Sequence, residues 1–148
     1  MGCIEGRIAI EYFDELQYKI QGGGANPVTH KQKSENFAFK CHRDGQDIFS
    51  VNSIHFSNMN TFCSAGTDGV LSFWDKEARY KLANLELLKR KSPINDIKFN
   101  PQSTLLVYGA SYDWTRGVEH NDPSIGSNLY LHQVQPNEIT PKPKSVGR

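Results

Sequence analysis

The sequence has few cysteines, no long apolar run and almost no net charge. Its three cysteines, Cys3, Cys41 and Cys63, lack Cys-x-x-Cys spacing, which excludes a disulfide framework and a cysteine-type zinc site. No apolar run approaches the roughly 20 residues that span a bilayer, so membrane insertion is not expected. The formal net charge of +1 gives no overall field that would demand nucleic acid or a membrane as partner. These absences predict a chain with reduced thiols, in the nucleus or the cytoplasm.

Patterns that carry catalysis or bind metal are also missing. The five histidines show no His-x-x-x-His or His-x-Glu spacing, and no serine lies in a Gly-x-Ser-x-Gly string. We therefore expect no enzymatic activity, no metal, no cofactor and no small-molecule substrate.

Strand signals are present, and they repeat along the chain. A shift of 43 residues places the string VNSIHF at 51–56 on INDIKF at 94–99, and it places Gly66 on Gly109. Alternate apolar positions, Ile54 with Phe56 and then Ile97 with Phe99, indicate strands with one face in a core. A repeat of this length with four strands is typical of a propeller blade. We expect an all-β fold, a WD-repeat β-propeller represented by about two and a half four-stranded blades.

The strand pattern divides the chain into four segments. We expect residues 1–41 to be the end of one blade with a long flexible loop at 14–35, because that loop contains three consecutive glycines. Residues 42–90 form a complete WD blade, and residues 91–134 form the last blade without its closing strand. Residues 135–148 are rich in proline and are expected to be a disordered tail. The expected strands are 7–13, 36–41, 51–57, 62–67, 70–76, 81–87, 94–100, 105–111 and 128–134.

The complete blade carries the side chains of a WD motif. Trp74 and Asp75 end its third strand, and Asp68 lies in the turn before that strand, followed by Gly69. In such blades a turn Asp, a preceding His, a strand Ser or Thr and the Trp form a hydrogen-bonded chain that satisfies buried polar groups. His42 is the candidate for the His position, although it stands farther than usual from Val51. We expect His42, Asp68, Gly69 and Trp74 to be structural.

Four strings of the chain resemble one known family. They are IEGRIAIEY at 4–12, FAFKCHR at 37–43, SFWDKEAR at 72–79 and ASYDW at 110–114. In this order they resemble the C-terminal portion of the WD-repeat mRNA export factor family (Rae-one, also called Gle-two). The first two strings are shared with its sister family, the mitotic checkpoint protein Bub-three.

The resemblance implies a seven-bladed propeller that works in mRNA export at the nuclear pore. It implies binding of a nucleoporin peptide, the acidic GLEBS motif, with Arg7 engaging peptide glutamates. It also implies a second surface that takes RNA or a competing peptide. The resemblance further implies that the protein resides in the nucleus, at the nuclear envelope and in the cytoplasm. The second surface consists of Phe39, Trp74, Asp75, Lys76 and Arg79, of which Lys76 and Arg79 are the better surface candidates because Trp74 is also the natural core tryptophan of the blade.

Other interpretations stay open from the sequence. A spindle-checkpoint adaptor of the Bub-three type is the alternative within the same class. A WD-repeat substrate receptor of a ubiquitin ligase, with ubiquitin-ligase components as partners, is another. The chain is also compatible with a truncated product that cannot close a propeller, because the last blade lacks a fourth strand.

Overall fold

A computed structural model describes residues 1–12, 36–86 and 92–141 of the chain. The expected loop at 14–35 and the last part of the expected tail, 142–148, lie outside the described residues. Almost all regular structure in the described part is β, which confirms the all-β expectation. The strands are β1 (Gly2–Cys3), β2 (Arg7–Ile10), β3 (Phe37–Lys40), β4 (Arg43–Asp44), β5 (Asp47–Ile48), β6 (Val51–Phe56), β7 (Thr61–Gly66), β8 (Leu71–Asp75), β9 (Tyr80–Leu85), β10 (Ile94–Phe99), β11 (Leu105–Ala110) and β12 (Asn128–Gln133).

The strands form three successive antiparallel sheets and one small hairpin. The sheet orders are β1-β2-β3, β6-β7-β8-β9 and β10-β11-β12, and β4 pairs with β5. We call the three sheets the first, middle and last sheet. A 3₁₀ turn at Val118–His120 and one short helix, α1 (Pro136–Ile139), complete the described elements.

The middle sheet lies between the other two and is buried on both faces. Every residue of β7 and β8 is buried. On one face Cys63, Leu71 and Phe73 pack with residues of the last sheet. On the other face Phe62 and Trp74 pack with residues of the first sheet. Because the middle sheet packs on both neighbours, its stability depends on them.

The repeat of 43 residues is visible in the backbone. Pairing of β6 with β7 has a register irregularity between Val51 and Ser53, and pairing of β10 with β11 has the same irregularity between Ile94 and Asp96. Strands β6 and β10 are also joined by a hydrogen bond, since Ser53 Oγ donates to Asp96 Oδ1 at 2.7 Å. Equivalent positions thus share both local geometry and a contact between sheets.

Two expectations from the sequence are wrong in detail. The first strand was expected at residues 7–13, but β1 precedes it and pairs with β2. Phe56 was expected in the core beside Ile54, but its side chain is 49% exposed. The sequence showed the alternation of apolar positions but not the depth of each strand end in the sheet.

The expected disorder from residue 135 is also wrong for residues 135–141. Helix α1 packs against β8 and β9. Glu138 is buried, and its carboxylate accepts hydrogen bonds from His132 Nε2 and from the backbone N–H of Gln135, both at 2.9 Å. Thr61 Oγ1 donates to the carbonyl of Ile139 at 2.9 Å. The proline at the first helical position favours this turn, whereas composition alone suggested a disordered segment.

Candidate functional site

The structure brings together His42, Ser64, Asp68 and Trp74, which we call the tetrad. His42 Nδ1 lies 2.8 Å from Asp68 Oδ2, and His42 Nε2 lies 2.8 Å from Ser64 Oγ. Trp74 Nε1 donates to the same Ser64 Oγ at 2.9 Å. With the proton on Nδ1, each donor faces an acceptor: the indole donates to the serine, the serine to the imidazole and the imidazole to the carboxylate. The tetrad therefore satisfies its buried polar atoms in one continuous chain.

Serine, histidine and aspartate at these distances have the contacts of a nucleophilic triad. Ser64, however, is completely buried, and its oxygen already accepts the indole N–H of Trp74. A nucleophile must reach a substrate carbonyl beside an oxyanion hole. No substrate atom reaches Ser64 in this fold, so the geometry supports a structural role for the tetrad.

A small insertion explains the unusual distance between His42 and Val51. The hairpin of β4 and β5 fills the interval, and the N–H of Phe49 donates to the carbonyl of His42 at 3.0 Å.

On the other side of the tetrad, Asp68 Oδ1 accepts the N–H of Val70 at 3.2 Å and so holds the turn between β7 and β8. Gly69 has a φ of +73°, and a methyl group there would lie 2.8 Å from a backbone oxygen of Ser92. This position accepts only glycine, because any side chain would strain the backbone at this positive φ and would clash with Ser92.

Arg7 lies at the start of β2, and its side chain is 47% exposed. Its nearest carboxylate, on Glu5, is 4.0 Å away and largely exposed, so that pair contributes little. The turn before Arg7 is fixed by Arg43, whose Nη2 donates to the carbonyl of Glu5 at 2.8 Å. Lys40 stands directly opposite Arg7 in the register of β2 and β3. Two exposed cations therefore share one sheet face, which we call the Arg7 face.

The second predicted surface is only partly present. Trp74 is 7% exposed and Asp75 is buried, with Asp75 Oδ1 accepting the N–H groups of Glu77 and Ala78. The prediction that these two side chains contact a partner is therefore wrong. Trp74 belongs to the tetrad, and Asp75 holds the turn after β8. Phe39 packs on the indole of Trp74, with ring centroids 4.8 Å apart. It too is engaged in the core.

Arg79 is exposed and the Lys76 side chain is 17% exposed, and each lies over an aromatic ring. Lys76 Nζ is 5.1 Å from the ring centroid of Tyr12, and the Arg79 guanidinium is 4.4 Å from that of Phe37. Lys76 Nζ also contacts Glu77 Oε1 at 2.7 Å, and this hydrogen bond raises the pKa of Lys76. We call Tyr12, Phe37, Lys76 and Arg79 the basic-aromatic rim.

Sequence reasoning missed Tyr12, Phe37, Lys40 and Arg43. Phe37 and Lys40 belong to the string already noted, but their roles depend on the register between β2 and β3. That register places Ile8 opposite Phe39 and Arg7 opposite Lys40. The intervening segment of more than 20 residues gave no signal of how the two strands would align.

Burial determines the state of two thiols. Burial raises the pKa of Cys41 to about 12, and burial raises the pKa of Cys63 well above its usual value. Both are neutral thiols at physiological pH and act as small apolar side chains. Within residues 1–12, 36–86 and 92–141, no group of three or more His, Cys, Asp or Glu side chains is placed to hold a metal ion. Across the same residues the structure has no helix with the length and apolar character needed to cross a membrane.

Comparison with known proteins gives one family match. Residues 33–75 match the model described as WD domain, G-beta repeat. This match confirms the WD-repeat β-propeller class expected from the sequence. The Cps50 (Swd1) β-propeller domain of Myceliophteria thermophila, a solved structure, aligns with 70% of this chain and 36% of its own, with a TM-score of 0.41 and 12% identity. That similarity is too weak to bear on function.

Two curated relatives match over the whole chain. "Protein RAE1" of Arabidopsis thaliana is 37% identical over 100% of this chain and 39% of its own length. "mRNA export factor GLE2" of Chaetomium thermophilum is 35% identical over 100% of this chain and 38% of its own length. The chain thus spans well under half the length of these relatives. The family resemblance drawn from the sequence strings is confirmed.

Proposed function

We propose that this chain, a WD-repeat homologue of the mRNA export factors, serves in mRNA export as a non-enzymatic scaffold at the nuclear pore. Its principal ligand in this proposal is an acidic peptide of the GLEBS type from a nucleoporin. The name of the Chaetomium thermophilum relative, mRNA export factor GLE2, supports the export role. The geometry of the Arg7 face supports the class of ligand.

The observation that carries the proposal is the pairing of Arg7 with Lys40. Like charges directly opposite each other across two strands repel, so this pair does not stabilise the sheet. A carboxylate placed between them removes that repulsion. Arg7 also presents a planar guanidinium, which binds a carboxylate with two parallel hydrogen bonds. The Arg43 bonds to the preceding turn hold the start of β2 in place, which reduces the entropy lost on binding.

A charge-reversal experiment tests this proposal. Calorimetry would measure a GLEBS-type peptide with paired glutamates against the chain and its Arg7→Glu and Lys40→Glu variants. We expect Arg7→Glu to weaken binding by at least about tenfold, because a charge-assisted bidentate contact contributes about 1.5–3 kcal/mol. Lys98→Glu is the matched control, since Lys98 is an exposed strand lysine of the last sheet. Equal affinity of wild type and Arg7→Glu would remove the Arg7 face from the site.

RNA is a second ligand, and the basic-aromatic rim is the observation that favours it. Its two cations lie over exposed or half-buried rings, so phosphate neutralisation and base stacking can occur side by side. Arg79 is the stronger phosphate ligand of the two, because Lys76 is already paired with Glu77.

The salt dependence of binding tests the RNA proposal. Anisotropy of a labelled single-stranded oligouridine would be followed against salt concentration. Loss of one phosphate contact in Arg79→Gln lowers the slope of log K against log salt by about 0.7. Lys98→Gln should leave the slope unchanged. Identical slopes for wild type and Arg79→Gln would exclude the rim as an RNA site.

A further inference from the structure

A groove of about 900 Å³ lies apart from the Arg7 face and the basic-aromatic rim. Its walls are the β4–β5 hairpin, the end of β9 and the connection between β11 and β12. Six acidic side chains line it, against three lysine or arginine side chains and two histidines. The chain as a whole has a net charge of +1, so this local excess of acid is a property of the groove and not of the composition.

Two of the three lysine and arginine residues in the groove have contacts of their own, although all three residues are exposed. Arg43 donates to the backbone of the turn before β2 at 2.8 Å. Lys81 Nζ lies 5.1 Å from the ring centroid of Trp74. Arg116 is the exposed cation of the connection. Asp44, Asp47 and Glu86 are exposed acids as well. The lining as a whole contains three more acids than lysines and arginines, and this excess makes the groove negative.

The hairpin wall places two carboxylates in direct opposition. Asp44 and Asp47 are the last pair in the register of β4 and β5. Carboxylates facing each other across a hairpin destabilise it, so this pair has no structural benefit. An incoming cation would relieve the repulsion.

The opposite wall holds an unpartnered acceptor and an exposed aromatic ring. Asp113 Oδ1 accepts from Thr115, while the buried Asp113 Oδ2 has no hydrogen-bond partner in the structure. The next residue, Trp114, is 59% exposed, although tryptophan is an apolar side chain. Its ring contacts Tyr112 edge to face at 5.4 Å, and the Tyr112 hydroxyl is tied to the carbonyl of Gly117 at 2.6 Å. The indole is therefore held in place by Tyr112 and exposed to a negatively charged groove.

We propose that this groove binds an extended basic peptide segment, with an arginine or lysine of the partner stacked on Trp114. A cation over an indole face is the strongest of the cation–π pairs, and the surrounding carboxylates add attraction. The proposal does not depend on the acidic peptide at the Arg7 face, because the two surfaces have opposite charge. The same negative charge disfavours RNA in the groove.

The two tryptophans of the chain make the test specific. Trp74 is buried, so a ligand in the groove changes the emission of Trp114. The 148-residue chain would be titrated with an arginine–glycine peptide, with its neutral citrulline–glycine analogue and with a glutamate–glycine analogue. We expect a saturable change with the arginine peptide alone. A saturable change of the same affinity with either analogue would overturn the proposal, as would no change with any of the three.

Variants separate the groove from other surfaces. Asp47→Asn and Glu86→Gln keep side-chain size at exposed positions, and each should weaken the arginine peptide about two- to fivefold. Trp114→Ala, followed by calorimetry, should weaken it by a similar factor. Glu11→Gln is the control, since Glu11 is an exposed acid outside the groove. Arg7→Glu should also leave this affinity unchanged, so failure here is distinguishable from failure of the acidic-peptide proposal. Unaltered affinity in both Asp47→Asn and Glu86→Gln would overturn the assignment.

Discussion

Replacing Ser64 by alanine removes one hydroxyl from the centre of the tetrad. The change adds no volume and leaves a cavity of a single oxygen atom. Two buried groups lose their partner at once, because Trp74 Nε1 and His42 Nε2 both contact that oxygen, at 2.9 and 2.8 Å. Neither group is accessible enough for water to replace the serine, since the His42 side chain has no exposed surface and Trp74 is almost entirely buried.

The magnitude follows from the two orphaned groups. A buried polar group without a partner costs about 1–3 kcal/mol, so two of them destabilise the fold by about 3 kcal/mol. The neighbouring strand provides a matched control in Ser72, which is also buried and donates to the exposed Asn84. Ser72→Ala leaves only one acceptor unpartnered, and water reaches it. Its expected cost is about 1 kcal/mol.

Urea unfolding monitored by circular dichroism measures both changes. With a denaturant slope of about 2 kcal/mol per molar, Ser64→Ala lowers the midpoint by about 1.5 M and Ser72→Ala by about 0.5 M. A cycle with Trp74→Phe adds a second check, because phenylalanine has no indole N–H to orphan. In that background the cost of Ser64→Ala should fall by about 1–3 kcal/mol. Equal midpoint shifts for the two serines, or an unchanged cost in the cycle, would refute the role given to the tetrad.

Three further predictions concern the turns, the thiols and the C-terminal helix. Gly69→Ala should cost about 2 kcal/mol more than Gly45→Ala in urea unfolding: both glycines have positive φ, but only Gly69 has a backbone atom in the way. Burial raises the pKa of Cys41 from 9.0 to about 12, so the stability contributed by its neutral thiol is complete below pH 9 and declines as pH rises toward 12. Cys41→Ala should reduce that decline by about 1 kcal/mol between pH 9 and 10 in urea titrations, and parallel curves would contradict it. Glu138→Ala should lower the free energy of unfolding by about 2–3 kcal/mol, whereas the exposed Asn137→Ala should change it almost not at all. Equal thermal midpoints for the two variants would show that helix α1 is not anchored through the Glu138 carboxylate.

The middle sheet was predictable because its signals are local and repeated. The turn at Asp68 and Gly69, the strand that ends in Trp74 and the spacing of 43 residues each follow from short strings. His42 was identified from its residue type, despite the added hairpin of β4 and β5. Hydrogen-bonding chemistry limits which side chains can complete such a chain, and this limit made the prediction possible.

Other features depend on contacts between distant segments. The strand β1 has two residues, Gly2 and Cys3, which is too short for any periodic pattern. The opposition of Arg7 and Lys40 depends on the register of strands that are far apart in sequence. The order of residues 135–141 depends on a site for Glu138 that β12 provides through His132. Composition described these residues as a polar, proline-rich tail and gave no information about that site.

His42 also bears on how such a chain can be divided. The WD repeat matched at residues 33–75 begins before β3 and ends with β8, so it crosses from the first sheet into the middle sheet. A fragment excised at the apparent boundary, starting at Val51, would contain all four strands of the middle sheet but not His42. Asp68 and Ser64 would then lose the imidazole that joins them. A fragment designed to transplant or exchange this blade should therefore begin upstream of Cys41, within the neighbouring first sheet.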